Sequence, residues 1–259
     1  MSLEPHEKSV LVTGAAHRLG AAIARAFGEA GWHVVLHYRA SGAAAKGLAR
    51  ALPSAETVQC DLADGDAAVA MVEALAARLP DWRVLVNNAS TFAEDRFDAL
   101  DPLVNAEAMA VNAVTPVRMA QAFLAQARSK AGRRVIQLTD QKLRNPNPDF
   151  FSYTMSKHAA DAAAVMLGMS CRGADRVYRL APGAILPSHD QTDAEAEISH
   201  RMNPLARRTG ADEIANAALF LATAPLASGQ ALYIDSGQHL LSQPRDVLYL
   251  ARSGDAGAG

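Results

Sequence analysis

Two rhythms of hydrophobic and polar positions alternate along the chain. Short runs rich in β-branched residues are typical of buried strands, and the Ala-rich stretches between them carry apolar residues at helical spacing. Leu19, Ile23 and Phe27, for example, lie four residues apart and form one stripe of a predicted helix. The pattern predicts seven strands: Ser9–Thr13, His33–His37, Thr57–Cys60, Arg83–Asn87, Arg134–Leu138, Arg176–Leu180 and Ala231–Asp235. Strands that alternate with helices in this way form a doubly wound α/β fold, a parallel sheet with helices on both faces.

The same pattern predicts a single domain followed by a short tail. No linker, repeat or low-complexity block divides residues 1–241. Residues 187–208 are polar and interrupt the alternation, so we interpret them as a substrate lid within that domain. The tail, residues 242–259, is expected to be partly flexible. Its segment Arg245–Arg252 is nevertheless apolar enough to dock on a protein surface, and a neighbouring subunit is one candidate for that surface. The further predicted helices are Asp66–Leu79, a long helix within Pro102–Arg128, Tyr153–Met169 and Asp212–Thr223.

Composition excludes several classes of protein. The 259 residues are 50% hydrophobic and carry a formal net charge of -2, which leaves no broad basic surface for nucleic acid. Apolar stretches are shorter than the roughly 20 residues that a membrane span needs, and Met1–Lys8 lacks the apolar core of a signal peptide, so we expect a cytoplasmic protein. The two cysteines, Cys60 and Cys171, imply neither a disulfide framework nor a cysteine zinc site.

The first predicted strand runs into a turn that contains glycine and opens a helix. The turn reads Thr-Gly-Ala-Ala-His-Arg-Leu-Gly from Thr13 to Gly20. Glycine lets the backbone approach a pyrophosphate, whose charge is stabilised by the free amides at the start of the helix. Where the usual pattern has its middle glycine, this chain has Arg18. In this setting the turn predicts a dinucleotide-binding Rossmann fold with Gly14, Arg18, Leu19 and Gly20 at the cofactor.

The end of the second predicted strand favours NADP(H). A site for NAD usually has an acidic residue there to bind the ribose, whereas a 2'-phosphate needs cations or neutral donors. The sequence Leu-His-Tyr-Arg-Ala-Ser, which ends at Ser41, contains no acid. We therefore predict that Arg18, His37, Arg39 and Ser41 surround the 2'-phosphate. The alternative is that Arg39 and Ser41 are ordinary solvated loop residues.

Several further segments make the chain resemble the short-chain dehydrogenase/reductase family from Lys8 to Leu240. They are Cys60-Asp61-Leu62, Asn87-Asn88-Ala89-Ser90, Asn112, Tyr153-Thr154-Met155-Ser156-Lys157 and Ala181-Pro182-Gly183. The resemblance implies that the adenine lies between Asp61 and Leu62. It also implies contacts to the cofactor from Asn88, Ala89, Ser90, Pro182 and Gly183. Members of the family are commonly tetramers, so a homotetramer is the expected assembly.

The candidate catalytic residues begin with a tyrosine and a lysine. Hydride transfer to an acceptor leaves negative charge, which a positioned acid must meet with a proton. Tyr153 and Lys157 are four residues apart and share one face of a predicted helix. The ammonium of Lys157 is expected to lower the pKa of Tyr153 from about 10 toward the working pH. The resemblance implies that Lys157 also binds the nicotinamide ribose and that Asn112 holds a water of a proton relay.

The main departure from the family pattern is Asp140, thirteen residues before Tyr153, where members that reduce ketones usually carry Ser. A carboxylate opposes a developing oxyanion, but a carboxyl group can exchange protons with a nitrogen heterocycle. Together with Arg18, His37-Tyr38 and Ser90-Thr91-Phe92, this exchange resembles the pteridine reductase branch, which includes bacterial dihydromonapterin reductases. The resemblance implies that the ring of Phe92 stacks on the substrate. It also implies that Ser90 contacts both the pterin and the cofactor.

These features predict an NADPH-dependent reductase that converts a dihydropterin to a tetrahydropterin, with the proton managed by Asp140 and Tyr153. One alternative is an NADPH-dependent carbonyl or 3-oxoacyl thioester reductase. An alternative of another class is a non-catalytic nucleotide-binding scaffold, supported only by the absent serine. Each of two residues also has a simpler interpretation: Phe92 covers the core, and Asp140 caps a helix. Lys142 fits a solvated surface and has no assigned role.

Overall fold

The computed structural model describes residues 8–185, 187 and 191–253, which form a seven-stranded parallel sheet covered by helices. The strands are β1 Ser9–Val12, β2 His33–Tyr38, β3 Ala55–Gln59, β4 Trp82–Asn87, β5 Arg134–Leu138, β6 Arg176–Pro182 and β7 Ala231–Ile234. They lie in the order β3-β2-β1-β4-β5-β6-β7, so the direction of winding reverses between β1 and β4. The predicted doubly wound sheet is confirmed.

The central strands are hydrophobic throughout because helices cover both of their faces. All four residues of β1 are buried, and Leu11 pairs in register with Val35 of β2 and Leu85 of β4. The edge strand β3 instead has only half-buried or exposed residues. Continuous apolar runs in the sequence therefore mark the central strands of the sheet. The carboxyl ends of these strands border the candidate site.

Two helical layers enclose the sheet. The helices are α1 Arg18–Glu29, α2 Gly42–Ala51, α3 Gly65–Arg78, α4 Pro102–Met109, α5 Thr115–Gln126, α6 Phe151–Ser170, α7 Asp193–Ser199, α8 Ala211–Leu221 and α9 Val247–Ser253. The core on one side includes α1 and α8 and the edge-on pair Phe27 and Trp32, with ring centroids 5.1 Å apart. On the other side Trp82 and Phe123 pack at 4.7 Å. None of the described helices combines the length and apolar character that crossing a bilayer needs.

The helical pattern differs from the prediction in three places. α2 and α9 were not predicted as helices, α2 because glycine at 42 and 47 weakens its signal. The long helix predicted within Pro102–Arg128 is divided into α4, a π-helical turn over Ala110–Val114, and α5. Pro116 has no N–H for the carbonyl of Asn112, so the regular hydrogen-bond ladder changes at this point.

The predicted lid contains one short helix. α7 begins with a capping box, in which Thr192 Oγ1 accepts from the N–H of Glu195 at 3.2 Å and Glu195 Oε2 accepts from the N–H of Thr192 at 2.7 Å. Parts of two predicted features, residues 188–190 of the lid and residues 254–259 of the tail, lie outside the described residues. The described part of the tail, including α9, packs against the rest of the chain.

Candidate active site

A cavity of about 800 Å³ opens at the carboxyl ends of the central strands, where the winding reverses. Open α/β sheets bind their ligands in this crevice, and the volume suits a cofactor together with a substrate. Of the predicted site residues, Ser41 and Asn112 do not line the cavity. Those that do are Gly14, Arg18, Leu19, Gly20, His37, Arg39, Asp61, Leu62, Asn88, Ala89, Ser90, Phe92, Asp140, Tyr153, Lys157, Pro182 and Gly183.

The turn after β1 has the backbone geometry of a phosphate-binding loop. Gly14 has a φ of +64°, and a Cβ added there would lie 3.1 Å from the Cα of Ala89. A Cβ on Gly20 would overlap the carbonyl oxygen of Gly14, so both positions require glycine. Arg18 also has a positive φ, 52°, which accounts for the glycine usually found at this position. The cradle therefore fits the pyrophosphate of a dinucleotide.

His37 holds this turn and is uncharged, so it offers no positive charge to a 2'-phosphate. Its Nδ1 accepts a hydrogen bond from the N–H of Gly14 at 3.1 Å, and its Nε2 donates to the carbonyl oxygen of Cys60 at 3.1 Å. Both ring nitrogens are thus engaged by the backbone in one neutral tautomer. Burial lowers the pKa of His37 to about 4, so the imidazole is uncharged at neutral pH.

Arg18 and Arg39 are the cations that the structure leaves in the predicted 2'-phosphate pocket. Arg39 is exposed, and its Nη1 lies 3.6 Å from Oε1 of Glu107. The guanidinium of Arg18 donates to the carbonyl oxygen of Pro187 at 2.9 Å and so joins the phosphate-binding turn to the lid. Ser41 stands instead at the N-cap of α2. Two arginines thus stand at the predicted pocket, and the contacts of all four residues with a 2'-phosphate stay a prediction.

The loop after β4 is tied to the phosphate-binding turn. Nδ2 of Asn88 donates to the carbonyl oxygen of Thr13 at 2.8 Å. The backbone N–H groups of Asn88 and Ala89 both donate to Oγ1 of Thr13, at 2.9 and 3.0 Å. Asp61 and Leu62 line the same cavity from the end of β3. The residues predicted to contact the adenine and the ribose thus lie on one continuous wall.

Asp140 and Tyr153 form a buried hydrogen-bonded pair. The hydroxyl of Tyr153 donates to Oδ2 of Asp140 at 2.7 Å, and Oδ1 accepts from the backbone N–H of Lys142 at 2.8 Å. Asp140 also caps a 3₁₀ turn over Gln141–Arg144, so it has both a capping role and a contact with Tyr153. Burial raises the pKa of Asp140 above its ordinary value. Burial and the neighbouring Asp140 raise the pKa of Tyr153 well above its ordinary value, so the tyrosine hydroxyl keeps its proton at neutral pH.

Lys157 does not lower the pKa of Tyr153, and the expectation from sequence was wrong on this point. Its Nζ donates to the carbonyl oxygen of Leu138 at 3.0 Å and lies 5.6 Å from the centre of the Tyr153 ring. Burial lowers the pKa of Lys157 itself to about 8, opposed by the charge of Asp140. The carboxyl group that replaces the usual serine therefore outweighs the ammonium in setting the pKa of the tyrosine.

Asn112 lies behind the cavity and joins two of its walls. Its Oδ1 accepts from the N–H of Thr91 at 2.8 Å, and its Nδ2 donates to the carbonyl oxygen of Thr91 and to Oγ of Ser156, both at 3.0 Å. It belongs to the π-helical turn, a feature that often accompanies functional sites. These bonds hold the loop that carries Phe92 against α6. The role at a relay water stays a prediction.

Phe92 begins an aromatic wall beside Tyr153. Its ring stacks on Phe150 with centroids 4.1 Å apart and meets Tyr153 edge-on at 4.7 Å. Phe150 lies in turn 5.9 Å from the ring of Tyr249. Phe92 is 41% exposed, so its place is on the wall and not in the core. An exposed flat ring next to Tyr153 suits the stacking of a planar substrate.

Sequence reasoning missed two parts of the site. Lys142, expected on a solvated surface, is only 5% exposed. Asp246, Val247 and Leu248 line the cavity, so the tail docks on its own subunit in this structure. The available signal was an Asp directly before an apolar run, which is a helix N-cap pattern. Nothing in the sequence indicated where that helix packs.

Comparisons with known proteins identify a family profile and several relatives that match this chain. A family profile described as enoyl-(acyl carrier protein) reductase matches residues 14–239. Pteridine reductase 1 of Leishmania tarentolae is 28% identical over 93% of this chain and 99% of its own length. Dihydromonapterin reductase of Citrobacter koseri is 26% identical over 89% of this chain and 96% of its own length.

Two solved structures are similar in fold. FolM alternative dihydrofolate reductase 1 from Brucella canis, complexed with NADP, superposes with a TM-score of 0.86 at 32% identity, over 93% of this chain and 98% of that one. The angucycline C-6 ketoreductase LanV, with bound NADP, superposes with a TM-score of 0.82 at 28% identity, over 90% and 96% of the two chains. The matches span most of the chain, as did the motifs read from its sequence. The chain belongs to the short-chain dehydrogenase/reductase family.

Proposed function

We propose that the protein is an NADPH-dependent reductase that converts a dihydropterin to a tetrahydropterin. The observation that carries the proposal is the 2.7 Å hydrogen bond between the Tyr153 hydroxyl and the Asp140 carboxyl. A partly buried carboxyl group whose pKa is raised protonates more readily, and in that form it can supply a proton toward a ring nitrogen, whereas the serine found there in ketone-reducing members stabilises an oxyanion. The similarity to pteridine reductase 1 supports the same substrate class.

The cavity supports NADPH as the cofactor. Gly14 and Gly20 leave room for a pyrophosphate, and Arg18 and Arg39 supply positive charge where a 2'-phosphate would lie. The first four residues after β2 contain no acid that would prefer an unphosphorylated ribose. The two solved neighbours with NADP support this assignment.

Proton delivery follows from the buried pair. When bound, NADPH supplies a hydride for the ring carbon next to the imine nitrogen of a dihydropterin. Tyr153 turns its hydroxyl from Oδ2 of Asp140 to that nitrogen and gives it the proton, and Asp140, in its protonated form, then donates a proton to the phenolate oxygen. Solvent then protonates Asp140. Lys157, whose Nζ is fixed by the carbonyl oxygen of Leu138, provides the cation beside this exchange and a donor for the cofactor ribose.

The walls of the cavity orient the substrate. Phe92 offers an exposed ring face beside Tyr153, on which the flat heterocycle would stack. Ser90 lines the same cavity, and we assign it a contact with both the pterin and the cofactor. The lid, residues 187–208, would close over this arrangement and exclude water.

Reduction of a ketone is the second candidate, and the similarity to LanV favours it. A panel assay separates the two. NADPH consumption by the purified protein is followed with dihydrobiopterin, dihydromonapterin, dihydrofolate, simple ketones and a 3-oxoacyl thioester, with NADH in parallel. We expect turnover of at least one dihydropterin and preference for NADPH. Turnover of ketones without turnover of any dihydropterin would contradict the proposal.

A homotetramer is the proposed assembly. Large apolar side chains on α4 and α6 remain exposed in the single chain, as expected for helices that pair with another subunit. These exposed side chains include Leu103, Met155, Met166 and Met169. Light scattering on the eluted protein measures the mass directly, and a monomeric mass would contradict this assignment.

A further inference from the structure

The carboxyl-terminal segment contacts three walls of the substrate end of the cavity. Arg245 forms an ion pair with Asp149 at 2.8 Å, and the hydroxyl of Tyr249 donates to Oε1 of Glu94 at 2.6 Å. Arg252 lies 3.1 Å from Glu195 of α7. The segment therefore joins the loop after β4, the loop after β5 and the lid helix, and it does so within one subunit.

A buried ion pair lies at the centre of these contacts. Nζ of Lys142 lies 3.3 Å from Oδ2 of Asp246 and donates to the carbonyl oxygen of Asp149 at 2.6 Å. Lys142 is 5% exposed and the side chain of Asp246 is 19% exposed. Removing one partner of a buried pair leaves an uncompensated charge in a medium of low dielectric constant. Lys142 therefore depends on a carboxylate that reaches it from 104 residues further along the chain.

The same lysine also holds Asp140. Its backbone N–H donates to Oδ1 of Asp140 at 2.8 Å, while its ammonium lies 5.5 Å from the ring centre of Phe150. The turn that presents Asp140 to Tyr153 is thus anchored at its other end by Asp246. Asp246 is itself fixed, since its Oδ1 accepts from the N–H of Leu248 at 3.1 Å and caps α9.

We propose that Lys142 and Asp246 are positioning residues, through which the carboxyl-terminal tail holds Asp140 against Tyr153 and balances the charge around this proton-donating pair. The inference rests on the proposed function only in taking the pair as the proton donor of a reductase. It does not depend on which substrate accepts the proton.

The charged groups around the pair determine the direction of each effect. Asp140 faces Lys142 on its own turn and Lys157 on α6, and both cations lower its pKa against the effect of burial. Tyr153 faces Asp140 and Asp246, both of which raise its pKa. The other nearby charges, Asp149 with Arg245 and Glu94 with Tyr249, are engaged with each other. Lys142 and Asp246 therefore act on the pair with opposite sign.

The test compares pH profiles of kcat for the wild type, Lys142→Met, Asp246→Asn and the double variant. Activity is lost at high pH when the pair gives up its proton. Without the cation, Lys142→Met should move this alkaline limb up by about half a pH unit, and without the anion Asp246→Asn should move it down by a similar amount. Each single variant should also lower kcat about tenfold through misplacement of Asp140. The double variant should return the limb close to its wild-type position.

Arg252→Gln is the matched control, because it breaks a contact of the tail far from the pair and should leave the limb in place. Limbs that stay at the wild-type pH in both single variants, or move in the same direction, would overturn the proposal. Thermal unfolding and NADPH binding are measured for every variant. If Asp246→Asn is not recovered folded, Asp246→Ser keeps an oxygen for the N–H of Leu248 and carries the same test.

An infrared titration separates this inference from the proposed function. The band of the protonated Asp140 carboxyl, assigned by its loss in Asp140→Asn, is followed against pH in each variant. If the wild type reduces no dihydropterin, the proposed function fails, but the opposite shifts of this band still test the inference. If the wild type reduces a dihydropterin and the band does not shift in either variant, the inference fails alone.

Discussion

The two ends of the cavity are built in different ways. At the cofactor end, the groups come from short segments directly after the strands, and backbone contacts fix them: Thr13 accepts two N–H groups, and His37 joins Gly14 to Cys60. At the substrate end, the charged groups are side chains brought together over long distances, as with Lys142 and Asp246. The first end follows from the fold, whereas the second depends on a few contacts that can change without altering the sheet. We therefore expect substitutions at the substrate end to change substrate choice while the sheet stays intact.

The largest effect should come from Tyr153→Phe, which removes the proposed proton donor at the substrate end. We expect kcat to fall about a thousandfold, because a positioned general acid contributes on this scale. NADPH affinity, a property of the other end, should stay within a few-fold of the wild type. Steady-state kinetics and fluorescence titration measure the two quantities. Unchanged turnover would remove Tyr153 from the mechanism whatever the substrate.

Phe92→Ala removes the exposed ring of the aromatic wall. Stacking of a planar heterocycle contributes about 1 to 3 kcal/mol, so KM for the substrate should rise about thirtyfold while KM for NADPH stays in place. Phe97→Ala is the matched control, since that ring is 63% exposed and does not line the cavity. Equal effects of the two substitutions would show that the heterocycle does not stack on Phe92.

Arg39→Ala tests the cofactor end by removing one of the two cations. NADPH should bind about tenfold more weakly, since a charged hydrogen bond to the 2'-phosphate is lost, while NADH binding should not change. Arg50→Ala, on the exposed side of α2, is the control for net charge. Parallel weakening of NADPH and NADH would mean that Arg39 acts on the backbone of the loop and not on the phosphate.

His37 should have the smallest effect on activity, because its protonation changes the free energy of unfolding and not the reaction. In the unfolded chain the imidazole protonates below its ordinary pKa of 6.5, but in the folded protein it stays neutral down to about 4. Its contribution is therefore complete above pH 6.5 and is lost as the pH falls to 4, by about 3 kcal/mol. Denaturant unfolding across this range should show the loss in the wild type and less of it in His37→Asn. Identical pH dependence in both proteins would contradict a buried neutral His37.

The fold was predictable because its signals are local. Each strand is a short apolar run bounded by turns, and the stripe of Leu19, Ile23 and Phe27 is visible within one helix. The glycines of the first turn and the spacing of Asp140 from Tyr153 were also visible, and these residues do line one cavity. Features that depend on residue type and on short spacing along the chain can therefore be predicted from the sequence.

The errors concern long-range contacts. His37 was predicted only as a residue beside the 2'-phosphate, whereas it is buried and its two backbone partners hold it neutral. Lys157 was expected to lower the pKa of Tyr153, yet Asp140 accepts the hydrogen bond of the hydroxyl and raises that pKa. Lys142 was expected on a solvated surface, but it is buried and forms an ion pair with Asp246 of the tail. Burial and partners from distant segments are set by tertiary packing, which residue patterns do not encode.

The most direct test of the central claim, that a carboxyl group at position 140 selects a nitrogen heterocycle over a ketone, is the substrate preference of Asp140→Ser. The ratio of kcat/KM for a dihydropterin to kcat/KM for a ketone is measured with NADPH in the wild type and in this variant. We predict that the ratio falls about a hundredfold, because the pterin loses the carboxyl proton while a ketone gains a hydroxyl donor. A ratio that stays the same, or rises, would contradict the account.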